Sequence, residues 1–154
     1  MKNHIITIPK EFMYLSEVTY YYLDGNRIDK PIELFKGIFN KVWTNTGGTT
    51  LALKDNRPTI ILSPRKGMIE NKFLQQDRLI KDGLLSNKML LVKGEDMILN
   101  NGDVYKKQLI PDIKKYIKSV DVPKILCTYD SFRTKVLKAI GNDIVNYHIV
   151  VDEC

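Results

Sequence analysis

What the chain lacks narrows its class first. It has only two cysteines, Cys127 and Cys154, on separate strand-like segments and without the paired spacing of a zinc site. A reducing, cytoplasmic setting is the simplest expectation. No stretch approaches the roughly 18 consecutive apolar residues of a membrane span. The opening MKNHIITIPKEF has only a short apolar run, broken by Pro9 and charges, which argues against a signal peptide. There is no internal repeat, low-complexity tract or domain linker. Acidic residues are in deficit: 18 Asp and Glu stand against 24 Lys and Arg, a net charge of +6. That balance favours contact with polyanions such as nucleic acid without proving it.

With 154 residues, 44% of them hydrophobic, the chain is long enough for one domain with a real core and too short for two helicase-sized domains. In the opening, the IITI and VTYYYL runs around Asp24-Gly25-Asn26 predict short strands and a turn. From there apolar runs alternate with helix-like stretches. Pro31 can open a helix through Ile32, Leu34, Phe35 and Ile38, and Lys41-Val42-Trp43 then leads into a polar glycine-bearing segment and a helix near Thr50. Thr59-Ile60-Ile61-Leu62 is a continuous apolar run, as expected of a parallel strand covered on both faces. Met89 to Val92 predicts another strand, and Lys93 to Gly102 reads as a loop or insertion.

Pro111 to Val120 predicts an amphipathic helix with Ile113, Tyr116 and Ile117 on one face and Lys114, Lys115 and Lys118 largely elsewhere. Lys124 to Thr128 is the following strand. Asp130 or Ser131 can cap a helix carrying Phe132, Val136, Leu137 and Ile140, closed by Gly141, before a last strand Ile149-Val150-Val151. The expected fold is α/β, with the strands beginning near Val42, Thr59, Lys124 and Tyr147 parallel in one sheet. Residues 1–30 form an N-terminal strand and turn extension, and 31–154 the main domain.

A parallel sheet places its ligand at the carboxyl ends of its strands, and four strand ends stand out. Thr46-Gly47-Gly48-Thr49-Thr50 allows backbone amides to turn toward a phosphate. Against G-x-x-x-x-G-K-[ST], however, Trp43 falls at the first glycine and Thr49 at the lysine, so an ordinary turn stays open. Ile149-Val150-Val151-Asp152-Glu153 delivers two carboxylates at a strand end, where a magnesium-binding Asp and a water-orienting Glu sit in such NTPases. Solvated acids are the alternative. Leu62-Ser63-Pro64-Arg65-Lys66 ends a strand with two cations. Cys127-Thr128-Tyr129-Asp130-Ser131-Phe132 runs a strand into a capped helix. Solvated charges and a plain capping turn are the other readings of these two.

In chain order, glycine loop, Pro-Arg strand end, Thr-Tyr-Asp-Ser and Asp-Glu, the four stations resemble motifs I, Ia, Ib and II of the first RecA-like domain of superfamily two helicases, from about Asn40 to Cys154. More narrowly, Asn40-Lys41-Val42 through Thr50, Lys124 through Phe132, and Asp152-Glu153-Cys154 are similar to helicase-like proteins of bacteriophages and mobile elements, whose glycine loops also tend to lack the lysine. The resemblance implies a three-layer P-loop NTPase domain with a mostly parallel sheet, truncated after motif II and incomplete at its C-terminus. Carried across residue by residue, it implies ATP and magnesium as cofactors, with Thr46 to Thr50 at the phosphates and Thr50 and Asp152 at the metal. Asp152 and Glu153 would be the catalytic pair. Arg65 or Lys66 and Ser131 would meet nucleic-acid phosphates, in the host cytoplasm if the chain is phage-derived.

Independently, Lys114, Lys115, Lys118, Lys124, Arg133, Lys135 and Lys138 outnumber the acids between Ile110 and Ile140, which makes this stretch a candidate nucleic-acid face, Lys135 and Lys138 included. A solvated helix surface is the alternative. Missing are the P-loop lysine and the motifs of a second helicase domain, so unwinding by this chain alone is not expected. A sheet ending at the Asp-Glu strand should leave an edge, for which a second helicase-like domain or another chain is a candidate partner. The competing function is a non-enzymatic basic α/β structural or adaptor protein.

Overall fold

A computed structural model of the chain describes residues 2–34 and 47–152. The expected strand at Lys41-Val42-Trp43, the segment from Phe35 to Thr46, and Glu153 and Cys154 lie outside the described residues. The chain divides into two compact units, Met1–Lys54 and Asp55–Cys154.

In the first unit three short strands, β1 (Ile6–Thr7), β2 (Tyr21–Leu23) and β3 (Asn26–Ile28), form an antiparallel sheet in that order. The β2–β3 hairpin turns where the sequence predicted. Asp24 (φ 49°) and Gly25 (φ 85°) both adopt left-handed backbone, which matches the twist of a tight hairpin. The Asp24 carboxylate accepts from the Ile5 amide at 2.8 Å and bonds His4 Nδ1 at 2.7 Å, stitching β1 to the turn. Alternation along β2 buries Tyr21 in a cluster with Leu15, Val18, Ile32 and Leu51, and leaves Tyr20 and Tyr22 half-buried. Leu51 belongs to α1 (Gly48–Lys54), the helix expected near Thr50. This shared core is why the unit extends to Lys54, past the boundary after residue 30 suggested by composition. Residues 31–34 are not helical, although Ile32 is buried.

The second unit is α/β. Strands β4 (Thr59–Leu62), β5 (Leu90–Val92), β8 (Lys124–Cys127) and β9 (His148–Val151) form a four-stranded, all-parallel sheet in the order β5-β8-β4-β9. The connections carry α2 (Lys66–Leu74) and α3 (Gln76–Lys81) between β4 and β5, then α4 (Ile110–Ser119) before β8. Between β8 and β9 runs a continuous helical stretch: α5 (Tyr129–Ser131), a π-helical segment (Phe132–Val136) and α6 (Leu137–Ile140). Ile60, Leu62, Ile125, Cys127, Leu90 and Val92 point to one face and pack on Ile113, Val136 and Ile140 of the α4 and 129–140 helices. α2 packs on β5 and β8 and buries Ile69 and Phe73. Fully burying each such aliphatic side chain stabilises the fold by roughly 1.5–3 kcal/mol. All four residues of β4 are buried, on both faces of the sheet, so its apolar run is continuous rather than alternating, as read from the sequence.

Two local readings need correction. The stretch from Lys93 to Gly102 is not wholly irregular, because β6 (Met97–Ile98) pairs antiparallel with β7 (Val104–Tyr105). Inward-facing Met97 and Tyr105 give that hairpin an anchor. The helix after β8 is capped neither by Asp130 nor by Ser131. Thr128 caps it, its hydroxyl accepting from the Ser131 amide at 3.3 Å, because the strand ends at Cys127 and the helix starts at Tyr129. Gly141 closes the helix with φ 63°, as expected. Among the described residues no helix is long and apolar enough to cross a membrane.

Candidate functional site

Register decides which side chains meet at the carboxyl edge of the parallel sheet. Leu62 lies opposite both Cys127 and Val151, and Val92 opposite Cys127. The next residue of each strand therefore emerges in a row, Lys93, Thr128, Ser63 and Asp152, in the order of the strands. Backbone bonds carry the ladder into the row: the Ser63 amide donates to the Cys127 carbonyl at 3.2 Å, and the Asp152 amide to the Leu62 carbonyl at 2.8 Å. Ser63 is buried, Lys93 is 3% exposed and Asp152 8% exposed.

Charges buried at this depth require partners. Lys93 Nζ contacts Glu70 Oε1 of α2 at 2.6 Å. Lys72, on the same helix, has its pKa lowered by burial, while the Asp152 carboxylate pulls it back upward. Asp152 and the Lys72 ammonium thus act on one another electrostatically at the strand ends. On the exposed rim, Lys66 pairs with Glu95 at 3.0 Å, and that hydrogen bond, with the added charges of Lys66 and Lys93, holds the Glu95 carboxyl below its usual range.

The sequence-predicted residues divide. Asp152 stands in the row. Arg65 and Lys66 follow Ser63 by two and three residues and are exposed. The Ser63 hydroxyl accepts from the Arg65 amide at 3.1 Å, which fixes the turn into α2. Ser131 lies behind the edge, 2% exposed, its amide spent on the Thr128 cap. Lys135 donates to the Lys93 carbonyl at 3.2 Å and the Gln108 carbonyl at 3.1 Å, so it ties the β5 and α4 approaches together. Lys138 is exposed. With Lys114 and Lys118 it belongs to the helices around the opposite, amino edge, where Lys114, Lys118, Ile140 and Tyr147 help line an open groove of about 650 Å³.

In the other unit, Gly47 has φ 79°, and a Cβ there would stand 3.4 Å from the Cβ of Tyr14. Its carbonyl accepts from the Leu51 amide at 2.9 Å, so Gly48, Thr49 and Thr50 form the first turn of α1. Thr46 and Glu153 lie outside the described residues.

Sequence reasoning missed Lys93, Glu70 and Lys72. Lys93 was legible by the same rule that found Asp152, since it directly follows a strand. Glu70 and Lys72 lie mid-helix with no local signature.

No group of three or more His, Cys, Asp or Glu side chains that could hold a metal occurs among the described residues. The donor set fits magnesium only in the manner of phosphate-bound ions, where one carboxylate is joined by phosphate and water oxygens. No family model matches the chain, and no curated protein or solved structure matches it.

Proposed function

We propose that this chain is a helicase-like domain of the RecA-like P-loop type that binds nucleotide and nucleic acid, with little or no turnover by itself. The observation that carries this reading is the row at the carboxyl edge. A nearly buried Asp152 directly follows one parallel strand beside Ser63 of the adjoining strand, with Thr128 one strand further on and the Lys72 charge acting on its carboxylate. Open parallel sheets bind ligands at that edge. It is also where the order of motifs in the sequence calls for a metal-binding acid.

Bound magnesium would neutralise phosphate charge. For its part, Asp152 offers a carboxylate on a backbone fixed by its amide's bond to the Leu62 carbonyl, Lys72 contributes positive potential, and Arg65 and Lys66 present exposed cations for a phosphate backbone. From the sequence, Glu153 is expected to orient water.

Calorimetry of the full chain with ATP, with and without magnesium, tests it. Binding is expected to require magnesium, and Asp152→Asn should weaken it by about tenfold or more, the scale of a lost charged contact. Equal binding by wild type and Asp152→Asn, or none by either, would remove the nucleotide reading.

The second reading, a non-enzymatic basic structural or adaptor protein, has one observation in its favour. The Asp152 carboxylate already has a cation acting on it within the fold, Lys72, whose pKa it raises against the effect of burial. Under that reading Asp152→Asn lowers thermal stability and nucleotide leaves the melting curve unmoved.

A further inference from the structure

At the amino edge of the parallel sheet, away from the strand-end row, the open groove of about 650 Å³ lies between α4 with the turn after it and a 3-10 helix (Gly141–Asn146) that follows α6. Its apolar lining includes Ile117, Val120, Pro123, Ala139 and Ile140, and Tyr147 adds a ring. Lys114 and Lys118, one turn apart on α4, put two ammonium groups on its rim. Asp121, in the turn after α4, and Asp143, on the 3-10 helix, put two carboxylates there. All four are exposed, and none forms an ion pair within the fold among the described residues. Burial raises the Tyr147 phenol and the Asp143 carboxylate adds to the rise, which sets that acid close to the ring. Two residues beyond Asp143, Val145 is 83% exposed, more than any other large hydrophobic side chain among the described residues.

We propose that this surface joins two copies of the chain about a twofold axis, with the Val145 side chain of each protomer seated in the groove of its partner. Three features of the patch fit a second copy. Knob and groove belong to one surface, so a single twofold rotation fills both grooves at once, as an isologous contact requires. The rim charges are self-complementary, because the same rotation exchanges the two walls and sets Lys114 and Lys118 of one protomer against the partner's Asp143. Finally, two lysines and two aspartates cancel, so a phosphate chain meets as much repulsion as attraction here, although the whole chain carries +6. Burial of Val145 and the groove lining supplies the attraction, and the exposed charge pairs, each worth little in water, set the register. The residues of the nucleotide reading stand at the other edge of the sheet, so neither conclusion depends on the other.

Sedimentation equilibrium of the full chain over a concentration series tests this. The mass is expected to rise from that of one chain toward that of two and no further, because a twofold contact closes on itself. Val145→Asp should weaken self-association by roughly 100-fold or more, since both valines of the dimer lose their burial and a charge enters each apolar groove. Val145→Leu should retain it. Lys118→Glu and Asp143→Lys should each weaken it by roughly tenfold, because each sets like charges opposite one another at two symmetric places. The double variant carrying both changes restores opposite charges across the axis and should recover most of the wild-type affinity, which damage to the fold in either single variant would not allow. Four outcomes overturn the inference: a single protomer at every concentration, growth beyond two copies, self-association indifferent to Val145→Asp, or a double variant that associates no more tightly than the single ones. Where the wild-type chain stays single and Val145→Asp and Lys118→Glu instead weaken its binding to a short oligonucleotide, the groove holds nucleic acid and the dimer is ruled out.

Discussion

At the scale of single residues, Lys124 sets the terms at the amino edge of the parallel sheet. It is 1% exposed, and its ammonium donates to the Asp55 carbonyl at 2.6 Å, the Arg57 carbonyl at 2.8 Å and Thr59 Oγ1 at 3.0 Å, which engages all three of its protons. Burial pushes its pKa down to about 8, with Asp55 opposing and Arg57 adding to the shift. His148 stands on the far side of Asp55, its Nδ1 3.8 Å from the carboxylate. A base with a folded pKa below its unfolded value binds more protons when unfolded, so stability rises with pH from about 8 toward 10.5. The opposite trend starts near pH 9, because burial raises the Cys127 thiol from 9.0 to about 12 and so costs stability once the unfolded thiol ionises. The visible gain is therefore confined to pH 8–9 and amounts to about 1 kcal/mol. Lys124→Met should abolish that gain in chemical denaturation curves. It should also lower stability at pH 7 by about 2–4 kcal/mol, since two carbonyls and a hydroxyl lose their donor. An unaltered pH profile in the variant would show that the lysine does not titrate in this range.

At the scale of elements, β5 is an edge strand among the described residues, and an edge exposes backbone groups that must be satisfied. The β6–β7 hairpin does this through one side chain. The Tyr105 hydroxyl accepts from the Leu91 amide at 3.1 Å and donates to the Leu91 carbonyl at 3.0 Å, while its ring packs on Phe73 of α2 with centroids 4.7 Å apart. Burial raises this phenol to about 12, so it stays protonated and able to donate throughout the neutral range. Tyr105→Phe keeps the ring and removes both bonds. A loss of about 1–3 kcal/mol is expected, with amide exchange at Leu91 accelerated more than at Ile125 in the sheet centre. Equal acceleration at both sites would mean that the hairpin does not protect the edge selectively. The 129–140 stretch illustrates a different balance. Its π-helical segment adds a residue to the turn, yet Phe132, Val136 and Ile140 still reach the core, and Lys135 is delivered to the Lys93 carbonyl behind the strand-end row.

At the scale of the whole molecule, the residues with the strongest claim to phosphate chemistry come without the usual cation, since Thr49 occupies the place of the P-loop lysine in the best alignment of that motif. Turnover by this chain in saturating nucleic acid is accordingly expected to be negligible, because loss of such cationic groups costs roughly 10³-fold or more. Robust ATP hydrolysis abolished by Glu153→Gln would instead show that another cation has taken the lysine's place. The sequence by itself determined the α/β class and the strands at 59–62 and 124–127, because a strand buried on both faces is a continuous apolar run readable from neighbours alone, and the short run 149–151 marked the last strand although that one alternates between half-buried and exposed residues. It also placed Arg65 and Asp152 just beyond strand ends. The tertiary structure alone decided the order β5-β8-β4-β9, the hairpin that seals β5, the ion pair of Lys93 with Glu70 and the electrostatic influence of Asp152 on Lys72. Those features depend on which distant strands pair and in what register. Residues up to about 90 positions apart in the chain are brought into one row by that pairing, and no local periodicity encodes it.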